Sequence, residues 1–502
     1  MKGVISAGDR LTAQAGATIL KVGGNAFDAV VSAVLVSALA EPALTSLGGG
    51  GFLLAYPSQK EPILYDFFVD VPPKRIENPD FYPIYVDFGD TIQEFHIGYG
   101  SIAVPGIVAG LYRVHQEFGR LPLEEVIKPA VKLATEGFYL SKLQADFVKL
   151  LKPIFTATKE ARKIYTKDGK LIDEHTKQKI PEYANFLKEF AKKGAWIFYE
   201  GEISDTIDKI STENRGLIRK KDLSKYNVIE RKPLTFTFKD YTILTNPPPS
   251  SGGILINFTL KLIEDVNLES YGSITHIKTL IEALNTTQIF RKEHLDQKLP
   301  FEDIHIDEQI LEQFKKTLYS RLNLWGNTTH ISIIDEDNNA VSITTTNGEG
   351  SGVVIPGTGI MLNNMLGEED LNPKGFFKWP AYIRLPSMMS PTIVLKDKEP
   401  VFILGSAGSN RIRSAIVQTI LNYLVFKMDV NQAVNSPRLH SENDTVYFEP
   451  GFSEEIIKIT KKIYKVVQFR QKSLFFGGVQ AVNNKFEGAG DCRRGGYVIK
   501  VS

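Results

Sequence analysis

The chain has 502 residues and a mass of 56.1 kDa, more than one hydrophobic core normally serves, so two or more structural parts are expected. Its 43% hydrophobic and 23% charged residues are ordinary globular composition, and 59 basic against 58 acidic side chains leave a formal charge of +1. With no basic block, nucleic-acid binding has no support, and a single cysteine, Cys492, excludes an intramolecular disulfide framework. The most apolar run, residues 29–40, is too short to span a bilayer and suits a packed internal helix. The first residues lack the basic and apolar regions of a secretory signal, which makes a cytoplasmic protein the default expectation.

In chain order, residues 11–20 and 26–40 predict two helices separated by a cap and turn at Gly23-Gly24-Asn25. Four glycines, Gly48 to Gly51, precede an apolar strand at 52–56. They lack the lysine and Ser/Thr of a phosphate loop, so nucleotide binding is not supported. Residues 64–73 read as a strand entering a proline-stiffened bend. Residues 99–111 read as a strand, a Pro-Gly turn and a helix start, and 121–136 as a helix interrupted at Pro129. From about 140 to 225 the chain is charged and largely helical, a lobe covering one side of the remainder.

Strands at 234–238 and 241–245 lead through a rigid loop, Pro247 to Gly253, into helices at 254–265, 275–291 and 307–316. A β-hairpin follows over 327–350, in which Ile331, Ile333, Val341 and Ile343 alternate with polar residues across an Asp-Asn-Asn turn. After a Gly/Pro loop at 350–359 and a polar loop at 363–373, strands are expected at 387–394 and 400–404. A glycine/serine turn at 405–411 then opens a helix at 412–426. An acidic helix near 453–463 and strands near 478–483 and 496–501 close the chain. This mixture predicts a layered α/β core, and no GxGxxG supports a dinucleotide fold.

None of the histidines falls in HExxH, and His305 lies in an acidic loop, so no metal site is expected. Ser406 lacks the glycine two positions before it that a hydrolase elbow requires. Cys492 is expected to be a small buried hydrophobe, with Asp491, Arg493 and Arg494 in structural ion pairs. The threonines carry two readings. Thr328, Thr329 and residues 344–346 serve as plain β-formers on a sheet. Alternatively, Thr328 is a nucleophile released when the peptide bond before it is cut, because the new α-amine then serves as its base.

Thr328-Thr329-His330 with Asn339 to Ser342 resembles the autocleavage site of the γ-glutamyltranspeptidase family of N-terminal-nucleophile hydrolases. GGNAFDA at 23–29, Glu41-Pro42 with the Gly48 run, VPGIVAGL at 104–111, PPPSSGG at 247–253, PGTGIMLNN at 356–364, MSPTI at 389–393 and PRLH at 437–440 resemble further family motifs, in the family's order. The resemblance covers essentially the whole chain. It implies a four-layer αββα core with a helical lobe, and a zymogen that cleaves between Asn327 and Thr328 into a large subunit, 1–327, and a small one, 328–502, which stay together. Thr328 would be the nucleophile, Thr346 would orient its hydroxyl or amine, and the amides of Gly408 and Ser409 would form the oxyanion hole, where the family carries two glycines. The expected reaction cleaves γ-glutamyl amides such as glutathione and passes the acyl group to water or to an amino acid or peptide. No cofactor, metal, nucleic acid or membrane partner is implied, and a homo-oligomer is left open.

The acyl pocket departs from the pattern. The family's carboxylate-binding arginine falls at Phe68, its asparagine at Gly348, a glutamate at Met365, an aspartate at Glu368, and one of two adjacent serines at Met388, while Ser387 is kept. Glu368 is expected to receive an amine, and Asn347 or Arg384 to compensate for the lost arginine. The connection from Glu368 to Ser387 is shorter than in lid-bearing members and predicts an open pocket. An acylase or amidase for another acyl group, and a catalytically silent binding scaffold, are the competing readings.

Overall fold

The computed structural model describes residues 1–87, 92–296, 328–442 and 444–502. Asn327, His305 and the helix expected at 307–316 lie outside the described residues. The strands that build the centre are, in chain order, β1 (Gly3–Ala7), β2 (Gly50–Tyr56), β3 (Ile63–Phe67), β4 (Ile229–Arg231), β5 (Leu234–Phe238), β6 (Tyr241–Thr245) and β7 (Thr329–Asp335). They continue with β8 (Ala340–Thr346), β9 (Thr392–Lys396), β10 (Glu399–Ala407), β11 (Gly478–Asn483), β12 (Gly488–Gly490) and β13 (Tyr497–Val501). They form a seven-stranded antiparallel sheet, β13-β1-β7-β8-β2-β3-β4, and a six-stranded one, β12-β11-β10-β9-β6-β5. The two sheets pack face to face through β7 and β8 against β10 and β11.

Helices α1 (Arg10–Lys21) and α2 (Ala26–Ala40) cover the outer face of the seven-stranded sheet. Helices α3 (Gly252–Ile263) and α5 (Arg411–Ile420) cover that of the other, and α4 (Ile274–Phe290) packs on α3. The result is the αββα stack. The lobe is helical from 142 to 224 apart from a two-stranded hairpin at 166–171, and it shares its core with α2.

Local chemistry places these elements. Asp9 caps α1 by accepting from the Leu11 N–H at 2.8 Å. Asn25 and Asp28 form a reciprocal capping box at the start of α2. The hairpin turn is held by Asp335, whose carboxylate accepts from the Asp337 and Asn339 amides at 2.9 and 3.0 Å. It also accepts from the Ala26 amide at 2.8 Å, which pins the N-terminus of α2 to the same turn.

Alternation along β7 decides what faces what. Ile331 and Ile333 point into the core beneath α1 and α2. His330, Ser332 and Ile334 point at the second sheet. There Ser332 donates to the Gln480 carbonyl at 3.1 Å, Ser342 to the Leu404 carbonyl at 2.9 Å, and Ser6 to the Ala489 carbonyl at 2.7 Å. Burial pushes the His330 imidazole down to about 3, so it is neutral. Its Nδ1 lies 2.8 Å from the Thr344 hydroxyl and its Nε2 3.0 Å from that of Ser332.

Several expectations need correction. Residues 99–101 form a 3-10 turn after Gly98 rather than a strand. Residues 387–391 precede β9, which begins only at Thr392. Gly405 to Ala407 belong to β10, and α5 gives way to a wider turn at 421–425. Cys492 is exposed, not buried. Its backbone amide donates to Asn435 at 3.0 Å, in a short turn whose Asp491 and Arg493 point inward instead. Of the ion pairs expected around it, Asp491 meets Arg493 at 3.1 Å and also Arg438 at 2.8 Å, while Arg494 instead donates to the Leu474 carbonyl at 3.4 Å.

Gly405 faces the His330 ring. A Cβ there would lie 2.1 to 2.7 Å from three atoms of a ring whose two nitrogens are held in hydrogen bonds. Gly405→Ala is therefore expected to destabilise the fold by about 1–3 kcal/mol, read as a lowered Tm. An unchanged Tm would show slack between the sheets.

Candidate active site

The site lies where the inter-sheet layer reaches the start of β7. Thr329 pairs with Thr345, and one further step of the same register sets Thr328 opposite Thr346, on the face that carries His330. Thr328 is 5% exposed. The Thr346 hydroxyl accepts from the Gly348 amide at 3.0 Å.

Beyond the end of β10 the chain turns through Gly408 and Ser409, both left-handed at φ +119° and +49°, into α5. The backbone N–H groups of Gly408, Ser409 and Asn410 donate no hydrogen bond to any described residue. They stand at the N-terminus of α5, where the helix dipole favours negative charge. Two side-chain bonds hold this turn: the Ser409 hydroxyl donates to Asp370, and Arg291 donates to the Asn410 side-chain carbonyl at 2.7 Å.

A pocket opens between these elements. It gathers Thr328, Thr346, Phe68, Met365, Glu368, Ser387, Met388 and Ser409, eight of the positions picked out from the sequence. Gly408 and Gly348 flank it. A Cβ on Gly348 would lie 1.9 Å from Glu368 Oε1 and 2.2 Å from the Asn364 side-chain oxygen, and its φ is +65°. The Glu368 carboxylate thus fills the place where a side chain at 348 would sit. Phe68 is fully buried and stacks on Phe52, with ring centroids 5.5 Å apart. Ser387 is steered by the proline-rich loop, since its carbonyl accepts from the Ser251 amide at 3.1 Å.

Arg384 does not compensate for the missing arginine. Its guanidinium donates to Asp70 at 2.6 Å, to Asp66 Oδ1 at 2.8 Å and to the Asn227 carbonyl at 2.8 Å, away from the pocket lining. Asn347 is likewise buried, with its amide nitrogen 3.5 Å from the Leu362 carbonyl. Among the charged lining residues, Arg291, Asp296 and Asp370 escaped sequence reasoning. Only Asp370, in the acidic run after Gly367, carried a local signal.

The carboxyls of the site are strongly perturbed. Burial, reinforced by Glu349 and Asp370, holds the Glu368 carboxyl well above the ordinary range, and its Oε1 has no hydrogen-bond partner among the described residues. Burial also raises Asp370, against the bond from Ser409 and the charges of Arg291 and Arg411. Behind the strand, Glu41 accepts from the Thr329 hydroxyl at 2.6 Å and from that of Thr12 at 2.7 Å. Burial and the neighbouring Asp9 push Glu41 up to about 8. No group of side chains suited to a metal occurs among the described residues.

The αββα stack, with a threonine beginning a central strand beside unengaged amides, is that of an N-terminal-nucleophile hydrolase. A cephalosporin acylase from Bacillus halodurans has the same fold, with a TM-score of 0.87 over 99% of this chain and 95% of its own at 21% identity. The family description "Gamma-glutamyltranspeptidase" matches residues 12–501, and the chain belongs to that family. It is 30% identical to the glutathione hydrolase proenzyme of Escherichia coli strain K12, over 91% of this chain and 84% of that protein. It is also 30% identical to the capsule biosynthesis protein CapD proenzyme of Bacillus anthracis, over 98% and 89%. Among the described residues no helix is long and apolar enough to cross a membrane.

Between the ordinary glutamate value of 4.5 and about 8, folded Glu41 keeps a proton that the unfolded chain has lost. Stability contributed at this position therefore falls as pH rises through that window. Glu41→Gln removes the dependence, so the variant is expected to gain on the parent by up to a few kcal/mol across the window and to run parallel outside it. Denaturant unfolding at a series of pH values measures this. A pH-independent difference would show Glu41 ionised in the folded protein.

Proposed function

We propose that the chain is an autoprocessed threonine amide hydrolase and acyltransferase of the γ-glutamyl class, and the observation that carries this is the convergence of Thr328, Thr346 and the unengaged amides of Gly408 and Ser409 on one pocket. In maturation, the Thr328 hydroxyl attacks the carbonyl of Asn327, giving an ester with Thr328 and freeing its amine. Water then hydrolyses the ester, leaving residues 1–327 with a new carboxylate and 328–502 with an N-terminal threonine.

In turnover the α-amine takes the proton of the Thr328 hydroxyl as Oγ1 attacks the substrate amide. An α-amine near its reference pKa of about 7.7–8.0 is partly unprotonated at neutral pH and suits this task. The neutral His330 is held in the sheet interface by Thr344 and Ser332, which leaves it a structural role. Amides at Gly408 and Ser409 receive the oxyanion; serine in place of glycine keeps its N–H, so the exchange preserves the hole. The protonated amine hands its proton to the leaving nitrogen. Water, an amino acid or a peptide then takes the acyl group from the threonyl ester.

For the acyl group, the glutathione hydrolase relatives support γ-glutamyl amides such as glutathione. A second reading, an acyl group other than γ-glutamyl, is favoured by the buried ring of Phe68 and the fully engaged Arg384. A carboxylate laid against Phe68 would be desolvated without a partner.

Purified protein is expected to resolve into two fragments by intact mass, with amide hydrolysis appearing alongside cleavage. Thr328→Ala is expected to stay at 56.1 kDa and to lose turnover by at least about a thousandfold. An uncut parent without activity, or an active Thr328→Ala protein, would overturn the assignment.

A further inference from the structure

We propose that the pocket selects its acyl group by an ammonium and without a carboxylate, so that the preferred substrates are amides of amino acids acylated through a chain bearing a terminal amine, with no carboxylate beside it. The inference rests on the threonine amidase reading of the same pocket and names its substrate class.

The charge balance of the lining carries it. Three carboxyls, Glu368, Asp370 and Asp296, face the space beside Thr328, against one arginine, Arg291, among the described lining residues. That arginine is already answered: Asp296 sits 3.2 Å from its Nε, and its Nη1 is bonded to Asn410. A carboxylate arriving there would meet Asp296 and Asp370 as well. Asp370 in turn accepts from Ser409. Glu368 differs, because its Oε1 is buried and accepts from no described residue. A buried carboxyl without a donor is costly, and an ammonium supplies both the donor and the opposite charge.

On binding, a protonated Glu368 releases its proton to solvent as the ammonium takes its place, so charge and protons balance. Phe68, Met365, Met388 and Ile412 add an apolar stretch of wall that suits the methylene stem of such a chain. Gly348 is part of the same arrangement. Any side chain there would displace the Glu368 carboxylate from its position.

Four p-nitroanilides test this with the processed full-length protein: butanoyl, 4-aminobutanoyl, glutaryl and γ-glutamyl, which carry neither charge, the ammonium, the carboxylate, and both. The 4-aminobutanoyl compound is expected to exceed each of the others by at least about tenfold in kcat/KM. Glu368→Gln is expected to bring the ratio of 4-aminobutanoyl to butanoyl turnover to within about threefold of one, largely through KM. A lead by γ-glutamyl or glutaryl would assign the carboxylate to Arg291 and overturn the inference while leaving the threonine mechanism standing. Equal turnover of butanoyl, or a ratio unmoved in Glu368→Gln, overturns it in the same way. No turnover of any of the four by an uncleaved chain removes the mechanism and the inference together.

Discussion

Everything at the site depends on the polar layer between the two sheets. A buried imidazole and a row of serine hydroxyls are unusual fillings for a sandwich core, and each is tolerated because it is bonded. His330 is satisfied by Thr344 and Ser332, while Ser332 and Ser342 reach across to carbonyls of the opposite sheet. Gly405 leaves room for the ring. These bonds fix the register of the two sheets as apolar contacts alone would not, because apolar contacts have no direction. Thr328 is two residues before His330 on the same face, so locking the ring also sets the direction in which the threonine points.

The opposite face of β7 is under a comparable constraint. Thr329 is bonded to Glu41, and Thr345 lies within 3.0 Å of the Thr45 hydroxyl, so the start of the strand is held from behind while its front is open to the pocket. Strands usually fray at their ends. Here the first residues are bonded on one side and packed on the other, which suits the nucleophile proposed at Thr328, since such a group must be held within a few tenths of an ångström of its target. The buried carboxyls that surround it, Glu41 behind and Glu368 and Asp370 ahead, are all raised by burial, so each costs stability as pH climbs through its window.

Local periodicity made most of the core legible: the spans of α1 and α2, the pair β5 and β6, and the hairpin β7–β8 all follow from alternation, caps and turn residues. The first strand, Gly3–Ala7, escaped because its buried residues include Ser6 and Gly3 and are too few to show a period. The paired strands Tyr82–Asp87 and Ile92–Ile97 escaped too, the first with its exposed tyrosines Tyr82 and Tyr85. Motif resemblance, not periodicity, brought Thr328, Thr346 and Ser409 together, since they come from three separate stretches. Arg291 was invisible for a related reason. It ends a helix whose pattern signals only packing, and nothing local shows that this end reaches the turn after β10. Arg384 was misjudged because its partners, Asp66 and Asp70, lie more than three hundred positions away.

The substitutions in the acyl pocket fit one another, which decides between decay and redesign. A pocket released from selection would lose side chains independently and leave unfilled space or unanswered charge. Instead the ring of Phe68 joins the core by stacking on Phe52. Gly348 has left room that the Glu368 carboxylate occupies. The serine at 409 gains a bond to Asp370 while its backbone amide still donates to no described residue. Met388 packs beside Ser251, whose hydroxyl reaches its sulfur at 3.5 Å, while Ser251 and Gly252 hold the neighbouring Ser387 carbonyl. The changes at Phe68, Gly348, Ser409 and Met388 are thus each answered by a contact in or beside the pocket. The substituted side chains of the pocket therefore fit one another, as those of a working family member would.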